Sequence, residues 1–306
     1  MEFIMKKIIQ PVTIAIWFGI FLQFIGCGKQ IEDTHKTGGQ RIISLSPNIT
    51  EILFALNLGE QVVGVTDFCE YPPAARAKTR VGGYLNPNME VIVSLKPTLV
   101  VMLNYNQDLK QKLMNFAFPI LLIRNDRIED VFASIDTIGS ITGRERQADS
   151  LIQHIQTTIT KIQRISKELP KRRVLFCIGR KPEGLQDIYA VGSSTFLNQL
   201  LEIAGAENIF EDISLKYPKV TPEAILTRNP EIIIETWSAK GKSEAELERH
   251  RNAWKMLPSI NAVKNEQIFL LTEEYMLIPG PRMGLILEKL FELLHPSSIT
   301  KPSSAR

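Results

Sequence analysis

The chain has 306 residues, 44% hydrophobic and 23% charged, a composition that folds and that excludes a wholly disordered protein. Its 36 Lys and Arg against 33 Asp and Glu leave a net charge of only +3, which supplies no global attraction for nucleic acid. Three cysteines and four histidines, the histidines never at metal-ligand spacing, argue against a disulfide scaffold and against a zinc motif.

In chain order, residues 1–26 read as an export signal. Lys6 and Lys7 form a short positive start, and residues 8–25 are apolar apart from Gln10, Thr13 and Gln23. The run ends at Gly26-Cys27, which resembles the lipobox of bacterial lipoproteins, with Phe24 where leucine is usual. That resemblance implies cleavage before Cys27, a lipid on Cys27, and an exported protein held in the periplasm or on the outer face of the cell membrane. The alternative is a transmembrane anchor, since an apolar run of this length just spans a bilayer. Residues 27–40 are polar with a Gly38-Gly39 pair and read as a tether. Cys69 and Cys177 are either a disulfide, which export permits, or two separate thiols.

From Arg41 short β-rich runs alternate with helical patterns, the signature of α/β architecture with parallel strands. Residues 42–45 read as a strand. Ser46-Pro47-Asn48 opens a helix, with Glu51 placed for a capping box and Gly59 to close it. Residues 61–65 are a second strand and 67–83 a loop containing Pro72-Pro73. Asn88 caps a short helix that stops before Pro97. Strand 98–102, helix 107–117, strand 120–123 and helix 128–141 complete a first lobe over residues 41–143. Residues 144–169 carry no Gly or Pro and keep Ala148, Leu151, Ile152, Ile155, Ile159, Ile162 and Ile165 near a helical period. Such a helix is a rod of roughly 39 Å. Pro170 ends it, a second α/β lobe follows over residues 170–295, and 296–306 are a tail.

The second lobe repeats the first. Tyr84, Glu90 and Pro97 recur as Tyr217, Glu223 and Pro230 at one common offset of 133, as do the caps Asn88 and Thr221, which argues for an internal duplication. A carboxylate in a first helical turn is stabilised by the dipole by roughly 0.3–1 kcal/mol without any partner, so capping alone accounts for Glu90 and Glu223. The other reading gives the same charge to the same surface of both lobes, suiting a two-fold partner with two basic sites. Tyr84 and Tyr217 lie on loops entering those helices, and Phe68, Tyr71, Trp237 and Tyr275 at similar strand-end or loop positions. Converging aromatics of this kind would wall a cleft for a bulky organic ligand.

No G-x-S-x-G, G-x-G-x-x-G or P-loop signature occurs, so nothing marks an enzyme. Gly82-Gly83 and Gly192-Ser193-Ser194 read as turns. His154 and the run Arg249-His250-Arg251 read as helix surface, and Glu273-Glu274 as strand neighbours pointing to opposite faces.

The segments from Arg41 to Glu51, Gly64 to Pro73 and Asn88 to Pro97 resemble the helical-backbone substrate-binding proteins of ABC importers. Within that group they are most similar to the periplasmic cobalamin-binding proteins. The resemblance implies two Rossmann-like lobes with central parallel sheets, joined by a long rigid helix and clasping a metal chelate. It implies no resident cofactor, a monomer when free, and a dimeric permease with its ATPase as partner, docked through Glu90 and Glu223. Ligand contacts of the cobalamin proteins fall on Phe68, Tyr84, Tyr217 and Glu274, where bulkier or more polar aromatics and an aspartate are usual. Pro47, Asn48, Trp237 and Tyr275 complete the candidate ligand set. Relatives with this fold carry siderophores or haem. For haem, Tyr84 or Met89 would be the axial ligand; for an anionic siderophore, Arg180 and Arg282 are the placed arginines. The rival classes are an exported enzyme using the cleft and a surface adhesin built on a binding-protein fold.

Overall fold

The structure, a computed structural model, describes residues 39–182 and 184–296; the export signal, Cys27 and the tail from 297 lie outside the described residues. In the first lobe β1 (Ile42–Ser44), β2 (Val62–Val65), β3 (Thr79–Arg80), β4 (Leu99–Leu103) and β5 (Ile120–Ile123) form one sheet in the order β3-β2-β1-β4-β5. Every pairing in it is parallel. Side chains alternate across this sheet as the pleat requires. Leu99, Val101 and Leu103 of β4 face the core shared with the rest of the chain, while Val100 and Met102 join a separate outer core.

The second lobe contains β6 (Arg172–Gly179), β7 (Ile188–Ala190), β8 (Ala206–Asn208), β9 (Lys219–Val220), β10 (Ile232–Thr236) and β11 (Ile268–Leu271). Parallel β8-β6-β10-β11 matches the β2-β1-β4-β5 part of the first lobe, and β4 and β10 lie at the same 133-residue offset as the flanking glutamates. The departure from an all-parallel sheet is β7, antiparallel to both β6 and β9. It places β9, and with it the chain segment carrying Tyr217, one strand out from the carboxyl end of β6.

The long helix spans Glu145–Ser166, three residues short of the expected end, as Pro170 disfavours helical backbone at Leu169, and the Ser166 hydroxyl donates to the Ile203 carbonyl at 2.6 Å. It packs on the helix Ile128–Thr142 of the first lobe and on Phe196–Ile203 and Met283–Leu294 of the second. Gly139 permits the first of these contacts, since a Cβ there would stand 2.6 Å from that of Ala148. One apolar core therefore runs from Ile42 and Val101 through Ile155 and Ile162 to Val174 and Ile232. Residues from Gln40 onward form one compact unit. Hinging the lobes would open this shared core to water, at about 25 cal/mol per Å2 exposed.

Local departures from the sequence reading have local causes. The first helix is Pro47–Ala55, closed by Asn57 in the left-handed region (φ 59°) and not by Gly59; asparagine tolerates that conformation best after glycine. Its Glu51 makes no capping box, being buried and bound to Arg282. Glu273 and Glu274 lie beyond the last strand, with Glu274 opening a turn of 3-10 helix over Glu274–Leu277. Cys69 and Cys177 are separate buried thiols. Among the described residues no helix is long and apolar enough to cross a membrane, and no group of His, Cys, Asp or Glu has the arrangement of a metal site.

Candidate functional site

The parallel strands direct their carboxyl ends toward a common set of loops, and the candidate residues follow those ends. Pro47 and Asn48 come after β1, Phe68 after β2, Trp237 after β10, and Glu274 and Tyr275 after β11. Open α/β sheets bind ligands outside these ends.

Among the described residues three polar contacts join the lobes. The deepest is a bidentate pair: the Arg282 guanidinium donates to both oxygens of Glu51, at 2.5 and 2.9 Å. The same guanidinium lies 4.0 Å from the Tyr71 ring and 5.1 Å from the Tyr275 ring, one aromatic from each lobe. Burial pushes the Glu51 carboxyl up, and Arg282 only partly reverses it, as desolvation against ion pairing requires. The second contact is Lys216 to Asp126 at 2.5 Å. In the third, Gln199 donates to both oxygens of Glu129 at 3.1 Å and accepts from the Ile128 amide at 2.8 Å; chiefly through Gln199, the Glu129 carboxyl is held below its usual range.

An aromatic cluster occupies the Asp126–Lys216 end. Tyr84 and Tyr105 have ring centroids 5.6 Å apart, tilted by 51°. The Tyr84 hydroxyl is buried without a hydrogen-bond partner, and burial, then Tyr105, pushes its pKa upward. Tyr217, from the second lobe, is pushed up to about 12 by burial first and then by the charges of Asp126 and Tyr105. Large apolar side chains stand open around the loops: Phe68 is 65% exposed, Leu85 69%, Tyr105 55% and Leu215 67%. Tyr105 and Asp126 escaped the sequence reading, Tyr105 because the 133-residue repeat does not include it.

The Tyr217 loop is seated by Gly192. A Cβ at that position would fall 1.9 Å from the Leu215 carbonyl oxygen. Without one, the Gly192 amide donates to the Lys216 carbonyl at 2.9 Å and the Ser193 amide to Ile213 at 3.0 Å. Gly192 is thus a close-approach position, more than the plain turn its Gly-Ser-Ser context suggests.

Other candidates are placed differently from an open cleft wall. Asn48 is buried, accepts the Ser46 hydroxyl at 2.5 Å, and packs against Gly280 of the other lobe. Trp237 stacks on the His250 ring at 3.5 Å and has the Lys242 ammonium 4.5 Å from its ring. His250 is buried, not a helix surface: its Nε2 lies 2.7 Å from Glu235, which also accepts from Trp254 at 2.7 Å. Arg180 joins that group, 3.0 Å from Glu235 and donating to the His250 carbonyl at 2.6 Å. It is buried in the second lobe and unavailable to an anion in the cleft. Arg282 is likewise engaged. Met89 lines a cavity of about 610 Å3 within the first lobe, beside Leu85 and Tyr105.

Glu90 and Glu223 are both exposed at the second position of their helices. Asn88 caps the first by accepting from the Glu90 and Val91 amides at 3.0 and 3.2 Å, so the Glu90 carboxylate has no part in the cap. Thr221 caps the second through the Ala224 amide. The Glu223 carboxyl is held below its usual range by its own backbone amide and then Thr221.

Comparison with known proteins places this geometry. The model of the periplasmic binding protein family matches residues 42–275. An uncharacterised ABC transporter substrate-binding lipoprotein of Bacillus subtilis is 32% identical over 273 residues, 87% of this chain and 83% of that protein. The vitamin B12-binding protein of Pectobacterium atrosepticum is 27% identical over 275 residues, covering 87% and 92%. Among solved structures, a possible iron-binding periplasmic solute-binding protein of Staphylococcus epidermidis superposes with a TM-score of 0.70 at 30% identity, over 86% of this chain and 99% of that one. A periplasmic haem-binding protein of Pseudomonas aeruginosa, at 20% identity, shares the fold, with a TM-score of 0.74 over 87% and 95%.

Proposed function

This chain belongs to the periplasmic binding protein family, whose relatives serve ABC transporters as substrate-binding components, and from that premise we propose that it captures a corrinoid between its lobes and delivers it to a permease and ATPase. The observation that carries the reading is the chemistry of the cleft. Its open walls are aromatic and aliphatic, through Phe68, Tyr105, Tyr217 and Leu215, while both arginines suited to an anionic siderophore are committed, Arg180 to Glu235 and Arg282 to Glu51. Flat apolar walls favour a large, nearly neutral ring system over a charged chelate. The likeness to a vitamin B12-binding protein supports the same ligand class.

Haem is the second reading, favoured by the shared fold of the haem-binding neighbour and by the unpartnered Tyr84 hydroxyl. A tyrosine ligates ferric haem as a phenolate, and the upward-shifted Tyr84 opposes that ionisation. On this reading the ligand arrives with its metal already chelated. Glu90 and Glu223 dock the loaded protein on basic residues of a two-fold permease. Export through residues 1–26 and a lipid on Cys27 complete the assignment. Absorption spectroscopy of the protein purified with its native ligand tests it, because corrinoid, haem and ferric chelates absorb differently. A corrinoid spectrum is expected; a Soret band would assign the cleft to haem instead.

A further inference from the structure

The second lobe buries an ionic group beside the carboxyl end of an interior strand. Glu235, in β10, is 1% exposed and Arg180, which follows β6, is 8% exposed. The Glu235 carboxylate accepts from the Arg180 Nη2 at 3.2 Å and from the Trp254 indole at 2.7 Å, and the His250 Nε2 lies 2.7 Å from it. Arg180 also donates to the Gly184 and His250 carbonyls, each at 2.6 Å. It thereby ties the loop after β6 and the helix Glu244–Asn252 to β10. Buried ion pairs contribute little net stability; their best-attested use is to fix one arrangement of the chain.

What the group arranges here is Trp237. Glu235 and Trp237 are two residues apart along extended chain, so their side chains leave the sheet on one face, and His250 meets both. Its ring centroid lies 3.5 Å from that of the indole, with the planes 21° apart. The Trp237 amide donates to the Leu271 carbonyl at 2.9 Å, which fixes its backbone and leaves the indole to be set by its neighbours. Lys242 is another of these, its ammonium held on the Ser238 carbonyl at 2.8 Å. The His250 Nδ1 is buried with no hydrogen-bond partner among the described residues, which makes histidine a costly choice for packing alone. Phenylalanine would stack without donating to Glu235, and glutamine would donate without stacking. Histidine does both.

We propose that His250 is a positioning residue for ligand capture: anchored by Glu235 and Arg180, it holds the Trp237 indole in one orientation at the carboxyl end of β10. Open α/β sheets take ligands outside that end, and Trp237 is only half-buried there. A flat wall set before the ligand arrives gives up less side-chain freedom on binding than one the ligand must order. His250, Glu235 and Arg180 are themselves buried and act through the indole, without touching the ligand. The inference rests on the corrinoid reading, since Trp237 must meet the ligand for its orientation to matter.

A double-mutant cycle on the purified protein tests it, with cyanocobalamin affinity by calorimetry and tryptophan emission of the ligand-free protein as readouts. His250→Gln keeps a donor for Glu235 and removes the stacking ring, and is expected to bind cyanocobalamin about tenfold more weakly. Its emission should shift to the red as the indole is released, and the shift should vanish in a Trp237→Phe background. Trp237→Ala should weaken binding by about tenfold or more. The combined His250→Gln and Trp237→Ala variant should match Trp237→Ala alone to within about twofold, because both act through one indole. Additive losses, an unshifted emission, or full affinity in Trp237→Ala would each overturn the proposal while leaving the corrinoid reading in place. His250→Asn is the second variant, and unfolding of both amides would make His250 a core support and overturn the proposal too. Failure of cyanocobalamin to bind the wild type refutes the corrinoid reading itself, and this inference with it.

Discussion

Arg282→Met isolates what the deepest contact between the lobes contributes. Glu51 is buried and Arg282 nearly so, with side-chain exposures of 2% and 15%. Removing one partner of a buried pair costs about 3–5 kcal/mol, because the other is left as an uncompensated charge. The residual exposure of the site places this case near the lower figure, about 3 kcal/mol. Loss of the Tyr71 and Tyr275 stacking adds about 1 kcal/mol at any pH. The larger part depends on pH with a definite sign. Burial already raises the folded-state pKa of Glu51, and both lowering influences come from Arg282, so the substitution raises it further. A carboxyl raised in the folded state contributes stability that is full below its unfolded value and is lost as pH climbs through the folded value. Arg282→Met should therefore lose about 1 kcal/mol near pH 5 and about 4 kcal/mol near pH 8. For a chain of this size the alkaline loss is a fall in Tm of roughly 8–16 °C. Adding Glu51→Gln removes the buried charge and should return the alkaline Tm to within about 4 °C of wild type. Thermal unfolding by circular dichroism at the two pH values reads all of this. An equal fall at both, or no recovery in the double variant, would refute the account of Glu51 and Arg282.

The other predictions concern the cleft and the docking face. Gly192→Ala forces its Cβ against the Leu215 carbonyl oxygen; the loop should shift outward at a cost of about 1–3 kcal/mol, and ligand affinity should fall at least tenfold because Tyr217 moves with it. Unchanged affinity in that variant would mean that the loop does not form the wall. Phe68→Ala, at an exposed position, should leave Tm within about 2 °C yet weaken ligand binding about tenfold; a large fall in Tm would make Phe68 a core residue. Lys216→Ala breaks a solvent-exposed pair worth about 0–1 kcal/mol, so chemical denaturation should barely register it, and a loss above about 2 kcal/mol would contradict that weak coupling. Glu90→Lys with Glu223→Lys should abolish transport in reconstituted vesicles while the soluble protein binds ligand as before. If transport survives, the two glutamates serve only their helices.

The parts of this fold that sequence carries are those written locally. Pro47, Asn88 and Thr221 announce helix starts, and the repeat of Tyr84, Glu90 and Pro97 locates a duplicated unit whose strands, Leu99–Leu103 and Ile232–Thr236, keep the same offset. The antiparallel pairing of Ile188–Ala190 with Lys219–Val220 and the Gly192 contact were hidden, because their partners lie some 23 to 32 residues away in a segment without periodicity. Arg180, Glu235 and His250 form a buried ionic group from positions up to 70 residues apart. Nothing in the run Arg249-His250-Arg251 signals that its middle residue turns inward while its neighbours face water. Arg282 was legible as a cleft residue but not as an engaged one, since Glu51 lies 231 positions earlier.

The central claim is that the walls formed by Phe68, Tyr84, Tyr105 and Tyr217 close on a corrinoid. Isothermal titration of the ligand-free protein with cyanocobalamin, haemin and a ferric siderophore in parallel tests it most directly. The account predicts one-to-one binding of cyanocobalamin with a Kd below about 1 μM, about −8 kcal/mol, and binding of the other two at least a hundredfold weaker. No heat with cyanocobalamin alongside tight binding of haemin or the siderophore would contradict it.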